Sequence, residues 1–113
     1  MPSISRQHLF APEDVDNSSP DTLVTVPTNH LLINARVRFT NHTGSASHVT
    51  AWAVPSGGTA GNDNIALPQT TINPNEFLDV DVPQIAGGGT YQAQAQTATS
   101  ITAQPMEGAY YVT

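Results

Sequence analysis

With 113 residues and a mass of 11.9 kDa, the chain is one domain, long enough to bury one modest core without staples. It has no cysteine, which excludes disulfides, thiolate zinc sites and thiol catalysis. Charged residues are only 11% of the chain, lysine is absent, and Arg6, Arg36 and Arg38 face nine carboxylates for a net charge of -6, a balance that disfavours direct nucleic-acid binding.

Residues 1–21 carry Pro2, Pro12 and Pro20 and four of the nine acids, Glu13, Asp14, Asp16 and Asp21. Only Ile4, Leu9, Phe10 and Val15 offer apolar anchorage there. Proline spacing and low hydrophobicity predict an extended arm outside the core, with Leu9 and Phe10 docking it on a neighbour. The first residues lack the basic start and apolar run of a signal peptide. No stretch approaches the roughly 20 apolar residues of a membrane-spanning helix.

From residue 22 to the end the hydrophobic period is two, the pattern of half-buried strands. Residues 22–27 read as a strand stopped by Pro27. In residues 31–40 Leu31, Ile33, Ala35, Val37 and Phe39 form the inward row, and Arg36 and Arg38 the outward one. Turn residues at 41–45 then lead into a strand over 47–54, predicted to pair with 31–40 as a hairpin. A glycine-rich loop covers 55–64. Short strands are expected at 65–67 and 70–72, and another at 76–82 with Leu78, Val80 and Val82 inward and Asp79 and Asp81 outward. Pro83 and Gly87 to Gly89 break the chain. In the strand after them Tyr91, Ala93 and Ala95 alternate with the uncharged row Gln92, Gln94 and Gln96. Strands at 100–104 and 109–112 close the chain. Six to eight short strands and no helical period predict an antiparallel β-sandwich over 22–113, jelly-roll or immunoglobulin-like, behind the arm of 1–21.

The composition suits a surface that packs. Thr, Ser, Asn, Gln and Ala dominate, and ordering them in a contact costs less rotamer entropy than ordering Lys or Glu. The same residues are also ordinary strand formers.

Catalytic patterns are hard to find. His8, His30, His42 and His48 are never spaced as a metal pair. Asn62, Asp63 and Asn64 offer one carboxylate where calcium takes six to eight oxygens. Asp79 and Asp81 stand about 7 Å apart on one strand face, a spacing compatible with a glycosidase pair and ordinary for a solvated face. Ser45, Ser47 and His48 lack a nucleophile elbow. The glycine runs lack the lysine and helix of a phosphate loop. No cofactor or metal is expected, and no enzyme activity. Arg36 and Arg38 have two readings, as contacts to a neighbouring subunit or as partners of Glu76, Asp79 and Asp81 across the sheet. Trp52 is either a sugar-stacking platform or a packing residue. Tyr110 and Tyr111 must point to opposite faces, so one is expected outward as an interface residue. The triplets at Asn17 and Asn41 match the glycosylation pattern by chance.

The segments LVTVP at 23–27, INARVRFTN at 33–41, TGSA at 43–46 and AVPSGGTAG at 53–61 resemble a group of small tailed-bacteriophage structural proteins. The resemblance extends more loosely through NEFLD at 75–79 and YQAQA at 91–95, and spans about residues 22–112. It implies a β-sandwich virion component. The added arm suits a capsid decoration (cement) protein on the outer capsid surface, made in the host cytoplasm, with the major capsid protein and other copies in a homotrimer as partners. Leu9, Phe10, Arg36, Arg38 and Tyr111 are then the candidate partner-binding residues. The arm suits a tail, neck or host-recognition accessory equally, and Trp52 leaves a carbohydrate-binding module open.

Overall fold

The computed structural model describes residues 3–6, by their backbone, and 9–112. Its strands are β1 (Ser3–Arg6), β2 (Glu13–Asp14), β3 (Asp21–Thr25), β4 (His30–Asn41), β5 (Ser47–Val54), β6 (Ile65–Ile72), β7 (Phe77–Val82), β8 (Ile85–Ala86), β9 (Thr90–Ala95) and β10 (Ile101–Val112), with one 3-10 turn at Asn62–Asn64. Sheet I runs β1-β10-β4-β7, with β2 also on β10 and β8 also on β4; sheet II runs β3-β9-β5-β6. The pairings are antiparallel.

The expected β-sandwich is present, and its topology chooses between the two forms. With β1 and β2 counted as one interrupted strand and β8 set aside, sheet I holds strands 1-8-3-6 and sheet II strands 2-7-4-5. That alternation between layers is the jelly roll. Tyr91, Phe39, Leu32, Ile101, Val37 and Val49 fill the space between the sheets and are almost wholly buried.

The amino-terminal segment corrects the arm expectation. β2 is hydrogen-bonded to Thr102 and Ala103 of β10, and β1 to residues 109–112 of the same strand. Val15 is 1% exposed in the core, and Leu9 and Phe10 pack against that core from the side. Residues 9–21 thus complete their own domain, and the strand that closes sheet I is supplied by the segment expected to leave it. The interruption has a local cause. Pro105 has no N–H, Gly108 sits at φ +154°, and the β10–β4 register shifts between Pro105 and Glu107 and again before Ala109. A Cβ on Gly108 would lie 2.7 Å from Leu9 Cδ1 and 3.2 Å from Ala35 Cβ. Glycine therefore makes the room in which Leu9 tucks over the bulge.

Two further expectations are corrected. The alternation places Leu31 and Ile33 in the inward row, yet Leu32 is the buried residue. Asn34 adopts φ +52°, and the matching irregularity in β10 shifts the phase by one. Ala35, Val37 and Phe39 then face inward as expected. The hairpin of β4 with β5 is also absent: β4 lies in sheet I between β10 and β7, and β5 in sheet II between β9 and β6. Residues 42–46 turn the corner between layers, and Asn41 holds that corner. Its side chain is fully buried, with Nδ2 donating to Ser45 O at 2.8 Å and Ile72 O at 2.9 Å, while Oδ1 accepts from Thr43 N at 3.0 Å and Thr43 Oγ1 at 2.7 Å.

Strands expected as separate pairs merge in two places. Residues 65–67 and 70–72 belong to β6, which passes through Pro68 because it is an edge strand paired only with β5. Residues 101–104 and 109–112 belong to β10, which passes through its bulge.

Candidate interaction faces

The two sheets turn chemically different outer faces to solvent. On sheet I, Arg38 pairs in register with Asp79 and Arg36 with Asp81. Arg38 Nε donates to Asp79 Oδ1 at 2.7 Å and Nη2 to Oδ2 at 3.0 Å, a two-pronged contact. Its guanidinium also lies 3.9 Å from the ring centre of Phe77, which is 56% exposed and shielded on that side. Arg36 Nε donates to Asp81 Oδ1 at 3.1 Å and stands 3.8 Å from Glu107 Oε1. Hydrogen bonding between Arg38 and Asp79 lowers the pKa of Asp79 and raises that of Arg38, and the hydrogen bond to Asp81 raises that of Arg36. Of the two readings of these arginines, pairing within the sheet is the one found. Water screens the pairs, so they set the register and charge pattern of the face more than they hold the fold.

Beyond the arginines the same face becomes apolar. The phase shift at Asn34 turns Leu31 and Ile33 outward, and Tyr111 lies opposite Leu31. Tyr110 is buried against Leu32 on the other side, so the two tyrosines do diverge. An open groove of about 580 Å³, lined among others by Ile33, Asn34, Arg36, Asp81, Gln84 and Glu107, lies between the two zones. The structure therefore brings Arg36, Arg38 and Tyr111 to one face. Leu9 and Phe10 are not on it, being packed against the core.

Sheet II has an outer face of amides and hydroxyls with the His48 imidazole, Trp52 and Ile65 among them. Trp52 is partly exposed, opposite Gln92 on one side and Ile65 on the other, and Thr50 lies opposite Gln94. Gln92 Nε2 donates to Thr90 Oγ1 at 2.9 Å and Gln94 Nε2 to Asn17 O at 3.0 Å.

Several of the residues weighed for catalysis are engaged in architecture, while His48 Nδ1 is buried without a hydrogen-bond partner among the described residues. His42 Nε2 lies 3.1 Å from Asp14 Oδ1, which also accepts from Thr102 Oγ1 at 3.1 Å and so fastens β2. His30 Nδ1 meets Thr28 O at 2.8 Å, and its ring stands edge-on to Tyr110. Ser47 Oγ is buried 2.9 Å from Ser100 Oγ. Asn64 braces its loop by accepting from Gly61 N and donating to Thr59 O. His8 lies outside the described residues. Among the described residues no three of His, Asp and Glu gather as a metal-ligand set. No helix among the described residues is long and apolar enough to cross a membrane. Burial, and after it repulsion from Asp21, raises the pKa of Glu13 on β2.

Sequence reasoning did not reach Phe77 and Glu107, the further partners of the arginines, or the outward Leu31 and Ile33. A signal existed for Glu107: it is the one charge in the carboxy-terminal stretch, placed between Pro105 and Gly108 where a bulge was to be expected.

No family model matches the chain, and no curated protein does. Among solved structures, a chain from the structure of infectious bursal disease virus, Gx strain, superposes with a TM-score of 0.54 at 10% sequence identity. The likeness is one of fold. It covers 99% of this chain and 33% of that one, so this chain spans about a third of the length of the protein it matches.

Proposed function

We propose that the protein is a structural component of a virus particle, acting as a capsid decoration protein of a tailed bacteriophage. The observation that carries the reading is the jelly-roll topology, matched over almost the whole chain by a chain from a virus structure. This layer order recurs in viral shells, and also in lectins. The sequence segments that resemble phage structural proteins form the body of the sandwich. In this reading the protein works without catalysis, by covering a junction between capsid subunits with a stiff two-layer block. The outer face of sheet I is the shell-facing side, where Arg36, Arg38 and Tyr111 stand together beside an apolar strip. Several copies, as a homotrimer, multiply weak contacts through effective concentration.

The test has two parts. Quantitative mass spectrometry of purified particles should find the protein in proportion to the major capsid protein. Recombinant protein should bind shells that lack it and raise their melting temperature, and Arg38→Ala with Tyr111→Ala should weaken that binding. A few copies per particle would move the protein to the tail or neck. No binding to shells would end the reading.

A further inference from the structure

The charges are divided unequally between the two layers. β3, β5, β6 and β9, which make up sheet II, contain a single charged residue, Asp21. It stands at the β3 edge opposite Ala93, on the inward side of the register. The outward positions carry Thr22 beside Gln92, Trp52 between Gln92 and Ile65, Thr50 beside Gln94, and the one imidazole of the face, His48, beside Thr71. Asp16 and Asp63 lie in the adjoining loops, at the rim. Sheet I, in contrast, carries Arg6, Glu13, Asp14, Arg36, Arg38, Asp79, Asp81 and Glu107 along its strands.

Two copies of a chain with a net charge of -6 repel each other, and the cost is largest where carboxylates meet. The outer face of sheet II is where they can approach without that cost. Its groups also suit their own kind. A hydroxyl or a primary amide both donates and accepts, so a field of Thr and Gln can bond to a copy of itself, which a field of carboxylates cannot. The amides of Gln92 and Gln94 are already held by Thr90 and by the Asn17 carbonyl, so less freedom is lost on contact. Trp52 and Ile65, the latter 42% exposed, supply the aromatic and aliphatic centre that such contacts need.

We infer that the outer face of sheet II is the surface through which copies of this chain associate, with Trp52 and Ile65 buried at the contact. The inference rests on the reading of the protein as a shell component working in packed copies, and it names the face they use. Sedimentation velocity on the full chain, from about 1 to about 100 μM, tests it. The wild type should assemble, and raising salt from about 0.05 to about 0.5 M should tighten the assembly, because only the residual repulsion is screened. Thr50→Asp, which brings an unpaired carboxylate from each copy into the contact, should weaken assembly at least tenfold. Glu107→Gln on sheet I should assemble like the wild type. Should Thr50→Asp fail to fold, Trp52 fluorescence of the wild type replaces it, with a blue shift expected as concentration rises.

A wild type monomeric throughout the range would overturn the inference, as would Thr50→Asp assembling normally, salt dissolving the assembly, or an emission spectrum independent of concentration. Quenching of Trp52 by neutral oligosaccharides in a monomeric protein would overturn it in favour of a sugar. The two proposals fail separately: a monomer that still binds shells sinks only this one, and an oligomer that ignores shells sinks only the function.

Discussion

Replacing Asn41 by alanine tests whether one amide ties the two layers together at the corner between β4 and β5. The side chain makes four hydrogen bonds and is fully buried. The bond to Ile72 O is buried and reaches the opposite sheet, so its loss costs on the order of 1–3 kcal/mol. The bonds to Thr43 N and Ser45 O lie nearer solvent, where water recovers part of them. Ser45 O also keeps its bond from Thr43 Oγ1 at 3.0 Å, so about 0.5 kcal/mol for each is reasonable. The sum is about 3 kcal/mol, a sizeable part of the roughly 5–15 kcal/mol that holds a domain together. At about 4 °C per kcal/mol for a chain of this size, the melting temperature should fall by about 12 °C. Urea unfolding should show the loss in the midpoint with an unchanged slope. Asn41→Leu keeps roughly the volume and removes every side-chain hydrogen bond without adding a charge, so a comparable loss there assigns the effect to hydrogen bonds and not to a cavity. A loss below about 1 kcal/mol in both variants would refute the reasoning.

Thr99 is β-branched at φ +53°, a conformation costing on the order of 1 kcal/mol or more; Thr99→Asn should therefore raise the urea midpoint, and a lower one would contradict the strain. The Tyr91 hydroxyl is buried without a partner, and burial raises its pKa. Tyr91→Phe should leave stability equal or increase it by about 1 kcal/mol in the same assay. Gly108→Ala should displace Leu9 and cost about 1–2 kcal/mol, with new proteolytic cuts near residues 9–12 as its signature. The folded-state pKa of Asp79 is depressed by Arg38, so the stability from this pair is present above the unfolded value and is lost as pH falls through the folded one. Carboxyl titration by NMR should show Asp79 returning toward 3.8 in Arg38→Met. Glu13 has the opposite sign: its folded pKa is raised, so stability declines as pH rises from the unfolded value through the folded one, and Asp21→Asn should reduce that decline.

The strands that alternate cleanly were legible. Leu78, Val80 and Val82 against Asp79 and Asp81, and Tyr91, Ala93 and Ala95 against the glutamines, have faces that follow from a period of two. The arginine–aspartate ladder was legible for the same reason, since two such strands carry opposite charges on their polar rows. Pairing was not, because the period assigns faces and says nothing about neighbours. β4 and β5 are adjacent in sequence with a fair turn between them, yet they belong to different layers. The clue was Asn41, a polar residue in phase with Val37 and Phe39 and so committed to the interior. Phase itself failed where a bulge intervened, at Asn34, because Leu31, Leu32 and Ile33 are all apolar and fit either row. The first strand was hidden by its prolines and acids. Its one decisive residue, Val15, cannot be told from an isolated apolar residue in a tail without knowing that β10 offers a free edge.

Because β1 runs antiparallel to the end of β10, Ser3 lies across from Val112, a separation of about 5 Å between α-carbons. A short linker could join these positions, and new ends opened in the glycine-rich loop after Val54 would give a circularly permuted chain with the same layers. In the native order, a peptide inserted before Ser3 and another inserted after Val112 would leave from the same corner of the block, side by side.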